Sequence, residues 1–85
     1  MKKIVGLRYT DDLPAPFVNV KASGQAAERL LELARAHGVP VEERAELTNV
    51  LFAVDVDTMI PENVYEVVAK LLVFVGAVDA KGRNA

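Results

Sequence analysis

Between Ile4 and Tyr9 the chain alternates with a period of two. Val5, Leu7 and Tyr9 fall on one side, and Ile4, Gly6 and Arg8 on the other. That pattern predicts a half-buried β-strand. Phe17 to Lys21 predicts a second strand, with Val18 and Val20 sharing a face. The segment between them, TDDLPAP, carries two prolines and reads as a turn-rich connection, longer than a tight hairpin. From Ser23 to about His37 the period lengthens. Ala27, Leu30, Leu31 and Ala34 recur at helical spacing, and Glu28, Arg29, Glu32 and Arg35 form the wet face. Ser23 stands at the N-cap and Gly38 where a C-terminal glycine belongs, with Pro40 following. Val39 to Glu43 is short and extended and predicts a third strand, which makes a strand–helix–strand crossover.

A short helix over Ala45 to Ala53 turns Leu47, Val50 and Leu51 inward, and DVDTM is a loop. Pro61 opens a last helix that runs to about Val75, with Glu62 favourable to its dipole. The fold class expected is α+β, close to α/β: a small mixed three-stranded sheet with a βαβ unit, packed by three helices. The domain is expected over residues 1–78, and the polar DAKGRNA of residues 79–85 as a disordered tail.

The last helix has more apolar surface than one core-facing stripe requires. Val64, Val67, Val68, Leu71, Leu72 and Val75 form the main stripe. Tyr65, Ala69 and Val73 form a second, offset line. A helix on a surface needs an apolar arc of about 100° or slightly more. Two readings account for the excess. Either the sheet and the first helix sandwich this helix and both lines are core, or Tyr65 and its neighbours form an exposed patch that docks a partner peptide. The loop residues Leu13, Pro14, Ala15 and Pro16 pose the same choice. They are a rigid spacer over a sheet edge or a pre-ordered binding ridge.

Length and composition narrow the class. At 85 residues there is room for one small domain, and 52% hydrophobic with 26% charged residues is a globular balance. The longest apolar run, LLVFVGAV, is too short for a membrane span and reads as a buried helix end. No cysteine is present, so neither disulfides nor thiolate metal sites arise. A net charge of −2 with scattered lysines and arginines argues against a nucleic-acid partner. His37 is the single histidine and sits at a helix C-terminus, where it serves as a cap. Asp55 and Asp57, and separately Asp11 and Asp12, lack the ligand count of a calcium loop. No catalytic constellation, metal site or cofactor is expected.

The ordered motifs have a likeness. VGLRYTDDLPAPFVNVKASG resembles the pattern VALRYD…APxVVAKG. AERLLELARAHGVPV and AELTNVLF follow, and IPENVYEVVAKLLVFV resembles a closing IPxELYxAVAEVLAxV helix. Together, over about Val5 to Val75, they resemble the cytoplasmic C-terminal domain of the FlhB/YscU family, the export-switch proteins of flagellar and injectisome type III secretion. In that family a strand leads into an Asn-Pro-Thr-His loop, and the chain cuts itself between Asn and Pro. On that register Met1-Lys2 fall where Thr-His stand. Asn19, Asn49 and Asn63 are each followed by valine and Asn84 by alanine, so no Asn-Pro occurs. The resemblance therefore implies the downstream product of that cleavage as a free-standing, cytoplasmic protein, unable to self-cleave and peripheral at the export gate.

What the resemblance implies further is binding without catalysis: export substrates, the length-control ruler and export-gate components as partners. Ala15-Pro16 match the family's AP step and Tyr65 its helix tyrosine. Leu13, Pro14, Ala15, Pro16 and Tyr65 are accordingly the expected partner-binding residues. Alternatives are a strand-complementing partner of an export component, a homodimer joined at the Ile4–Tyr9 edge, or a small ligand-binding domain using Asp55, Asp57 and His37.

Overall fold

The computed structural model describes residues 2–10 and 12–76. The expected tail at 79–85 lies outside them. Two strands, β1 (Lys3–Arg8) and β2 (Phe17–Ser23), pair antiparallel. Three helices follow: α1 (Gly24–Ala36), α2 (Ala45–Phe52) and α3 (Tyr65–Phe74).

The register pairs Lys3 with Ser23, Val5 with Lys21 and Gly6 with Val20, then slips at a bulge so that Leu7 stands opposite Val18. Asn19 is the extra residue. Gly6 fits closely against β2, because a Cβ there would lie 2.7 Å from Cγ1 of Val20. Val5 and Leu7 pack on the main core, where Ala15, Leu51, Ile60, Val64 and Val68 are buried. Leu47 and Leu72 close that core from α2 and α3. On the other parity of β1, Lys2 reaches Glu28 of α1 at 3.7 Å. Ala27 is completely buried and is the one buried residue of α1.

The expected third strand is not formed. Among the described residues the sheet has two strands, and 39–43 pairs with neither. The helix end explains this. Gly38 adopts a left-handed φ of 71°, its N–H donates to Arg35, and the Val39 N–H donates back to Ala34 at 2.8 Å. This double wrap is a Schellman closure, and it commits Val39 to the helix terminus rather than to a ladder. The place beside β2 is taken by residues 57–60 instead. Val18 donates to the Thr58 carbonyl at 2.9 Å and accepts from Asp57 at 2.7 Å, while Ile60 donates to Pro16 at 3.0 Å. Without a parallel strand there is no βαβ unit, and the architecture is a mixed α/β domain built on one hairpin.

Ser23 occupies the N-cap of α1 with extended backbone, but its side chain makes no capping bond. The last helix is divided. Pro61 precedes a 3-10 turn over Glu62–Val64, Val64 leaves helical geometry, and α3 begins at Tyr65. Gly76 closes α3 at φ 80°.

Candidate functional site

The five expected binding residues separate by depth. Ala15, 3% exposed, is a member of the main core with Val64 and Val68, and Pro16 is also buried. Leu13 is half-buried and Pro14 exposed. Tyr65 is 40% exposed. The loop and the start of α3 are held together by the Pro16–Ile60 hydrogen bond and by the shared core beneath them. Upstream, the loop begins with a tight turn. The Leu13 N–H donates to the Thr10 carbonyl at 3.0 Å, and the Thr10 hydroxyl donates to the Asp12 carboxylate. That hydroxyl bond, with a smaller attraction from Arg8, holds Asp12 below the usual carboxylate range.

α3 has one buried row and one open row. Val64 and Val68 are buried, and Leu71, Leu72 and Val75 are half-buried. Tyr65, Ala69 and Val73 are exposed, and so are Val67 and Phe74, the latter at 72%. The sandwiched arrangement is thereby excluded for the second line, and the end of LLVFVGAV is not buried at Val73 and Phe74. A shallow open depression, lined by Glu66, Ala69, Lys70 and Val73, runs along this row. Glu66 and Lys70 meet at 3.5 Å beside it. The surface offered is an apolar row of Tyr65, Ala69 and Val73 with a charged border.

The chemistry-bearing side chains of the described residues are scattered. Among them no three His, Asp or Glu side chains come together as metal ligands. His37 Nδ1 lies 2.8 Å from the Leu33 carbonyl and closes the end of α1. None of the described helices is long and apolar enough to cross a membrane. The exposure of Val67 and Phe74 could not be read from periodicity, since both lie within the apolar arc and only the tertiary position of α3 decides which part is covered.

Fold and surface together define a small α/β domain with an open apolar helix face. Residues 2–75 match the model of the FlhB HrpN YscU SpaS family, and the chain belongs to that family. It is 32% identical over 85 residues to the uncharacterized protein YlqH of Bacillus subtilis (strain 168), covering 99% of this chain and 91% of that one. It is 32% identical over 73 residues to the flagellar biosynthetic protein FlhB of Aquifex aeolicus (strain VF5), covering 84% of this chain. The hypersensitivity response secretion protein HrcU of Ralstonia nicotianae is 33% identical over 79 residues, or 92% of this chain. The chain spans only 21% of FlhB and 22% of HrcU. The PscU C-terminal domain superposes with a TM-score of 0.79 at 29% identity, covering 86% of this chain and 95% of that domain. A mutated EscU/SpaS C-terminal domain gives 0.81 at 26% identity, covering 85% and 91%.

Proposed function

We propose that this chain is a non-enzymatic protein-binding module of a type III export apparatus, flagellar or related. It takes a short apolar segment of an export substrate or of the length-control ruler, on the cytoplasmic side and next to the export gate. The observation that supports this is the open row Tyr65, Ala69 and Val73 on α3, in a domain of the FlhB/YscU family. Leu13, half-buried, and Pro14, exposed, lead into the buried Ala15 and Pro16 of the same loop. Ala15 and Pro16 form the buried base that holds the loop against Ile60 and Val64. No Asn-Pro step is present, so the module binds without self-cleavage.

The test is an NMR titration of the labelled chain with the C-terminal domain of the cognate ruler, and separately with an early export substrate. Shifts at Leu13, Ala15, Tyr65, Ala69 and Val73 are expected. Absence of shifts with both partners at high concentration, in a folded sample, overturns the reading.

A further inference from the structure

The open row of α3 has a charged border on one side only. At about 3.6 residues per turn, Glu66 and Lys70 fall about 60° and 100° to one side of Ala69. At about the same angles on the other side stand Leu72, half-buried, and Val68, buried. The row therefore runs from the core on one flank to an ion pair on the other. Glu66, Ala69, Lys70 and Val73 line the depression along it. Glu66 and Lys70 meet at 3.5 Å, with side chains 86% and 76% exposed. Exposed pairs of this kind hold weakly, so each charge is free to take a partner from an incoming molecule.

Main-chain chemistry decides between an extended and a helical occupant. The backbone groups of α3 bond within the helix, so an extended segment laid along the row finds no partner there for its own N–H and C=O groups. A helix satisfies those groups itself. Ala69 at the middle of the row is small, which lets a second helix axis come close. Charge then sets the direction. α3 places its acid, Glu66, four residues before its base, Lys70. A helix lying antiparallel sets the same flank against the same flank. If it too carries acid first and base four residues later, its base comes level with Glu66 and its acid with Lys70. That order is also the favourable one within a helix. The reversed order sets acid on Glu66 and base on Lys70, and a parallel arrangement moves those charges to the far flank, away from both. A second copy of α3 carries the fitting order. However, α3 has 10 residues, about 15 Å of helix, and buries far less than the ~800 Å² per partner of a stable dimer.

We infer that the row takes an amphipathic helix of another polypeptide, antiparallel to α3, whose apolar line is bordered by an acid and, four residues later, a base, and that Glu66 and Lys70 read this order. The inference rests on the row being the binding surface proposed above. The test uses the full chain and two synthetic peptides of about 16 residues, long enough to form a helix. Both have leucines four apart and the same composition. One carries Glu and then Lys beside the leucines, the other Lys and then Glu. The expected result is NMR shifts at Ala69 and Val73 and about fivefold tighter binding of the Glu-first peptide. The double variant Glu66→Lys with Lys70→Glu changes two exposed side chains, keeps the fold, and should invert the preference. Equal binding, or a preference that survives the double reversal, overturns the charge reading and leaves the apolar row standing. A proline at the centre of the Glu-first peptide should abolish its binding; undiminished binding overturns the helical occupant. Concentration-dependent dimerisation of the chain alone, with shifts at Ala69 and Val73, gives the row to a second copy and also overturns the inference. If neither peptide binds while the ruler domain still shifts the row, the inference fails alone. If nothing shifts the row, the proposed binding surface fails with it.

Discussion

The ammonium nitrogen of Lys21 lies 2.8 Å from the carbonyl oxygen of Val54 and also donates to Phe52 at 3.0 Å. It thereby ties β2 to the end of α2. Helix ends leave carbonyl groups without intrahelical donors, and a cation there satisfies them and complements the dipole. The same ammonium stands 5.5 Å from the centre of the Phe52 ring, and Lys3 approaches that ring at 5.2 Å. Lys21→Met keeps the stem but strands two carbonyls. It is expected to lower stability by about 1–3 kcal/mol. Urea denaturation checks it, and an unchanged midpoint would refute the tie.

Gly6 makes a second prediction. With its Cβ position 2.7 Å from Val20 Cγ1, Gly6→Ala forces the neighbouring strand or the valine to shift. Overpacking of this kind costs about 1–3 kcal/mol. Val20→Ala in the same chain should restore part of that loss. A double-mutant cycle in urea reads the coupling, and strictly additive effects would count against the contact.

Asp57 is the one non-glycine residue in the described chain with a positive φ, at 68°. Aspartate tolerates the left-handed region because its short polar side chain bonds locally, whereas β-branched residues do not. Asp57→Val should therefore cost about 1–2 kcal/mol, and Asp57→Gly should leave stability within about 1 kcal/mol. Both keep the N–H that donates to Val18. Equal melting temperatures for the two variants would show that this backbone conformation carries no such demand.

These positions also show what periodicity can and cannot reveal. β1, α1 and α2 were legible because each repeats one clear period, and Gly38 with Pro40 marks the end of α1. The excess apolar arc of α3 was legible as excess, and the structure leaves Tyr65, Ala69 and Val73 uncovered. Val39–Glu43 misled because an apolar-polar pair of residues after a helix looks extended, whereas the closure at Gly38 binds Val39 backward to Ala34. Residues 57–60 pair through main-chain groups while Met59 stays exposed, so their side chains give no strand signal. The bulge at Asn19 is likewise a property of two strands together and has no mark in one.

The turn ahead of the Leu13–Pro16 loop gives a pH-dependent prediction. Asp12 is held below the usual carboxylate range chiefly by the Thr10 hydroxyl. A depressed folded-state pKa stabilises above the unfolded value and loses that contribution as pH falls through the folded one. Thr10→Val should move the Asp12 titration upward toward the ordinary range. It should also reduce the loss of stability between neutral and acidic pH. Carboxyl-carbon NMR titration of both proteins decides it, and an unmoved Asp12 curve would place the cause elsewhere.

Pro16 and Tyr65 should respond oppositely to the same change, and that contrast tests the proposed binding row. Pro16 is buried, and its carbonyl accepts from Ile60 at 3.0 Å. Pro16→Asp places a carboxylate in the core without a partner, which costs several kcal/mol, on the order of 3 or more. The domain should lose its cooperative melt. Tyr65 opens α3 and is 40% exposed, so Tyr65→Asp sets a negative charge at a helix N-terminus, where the dipole favours it. Its melting temperature should stay within a few degrees, about 5 °C, of the parent. Its binding to the ruler domain should nevertheless fall, because the apolar row loses its aromatic end and gains a charge. Val73→Asp, at the far end of the same row, should weaken binding in the same way. Calorimetric melts paired with the NMR titration separate the cases. A Tyr65→Asp protein that stays folded and binds as well as the parent would remove the α3 row from the binding surface.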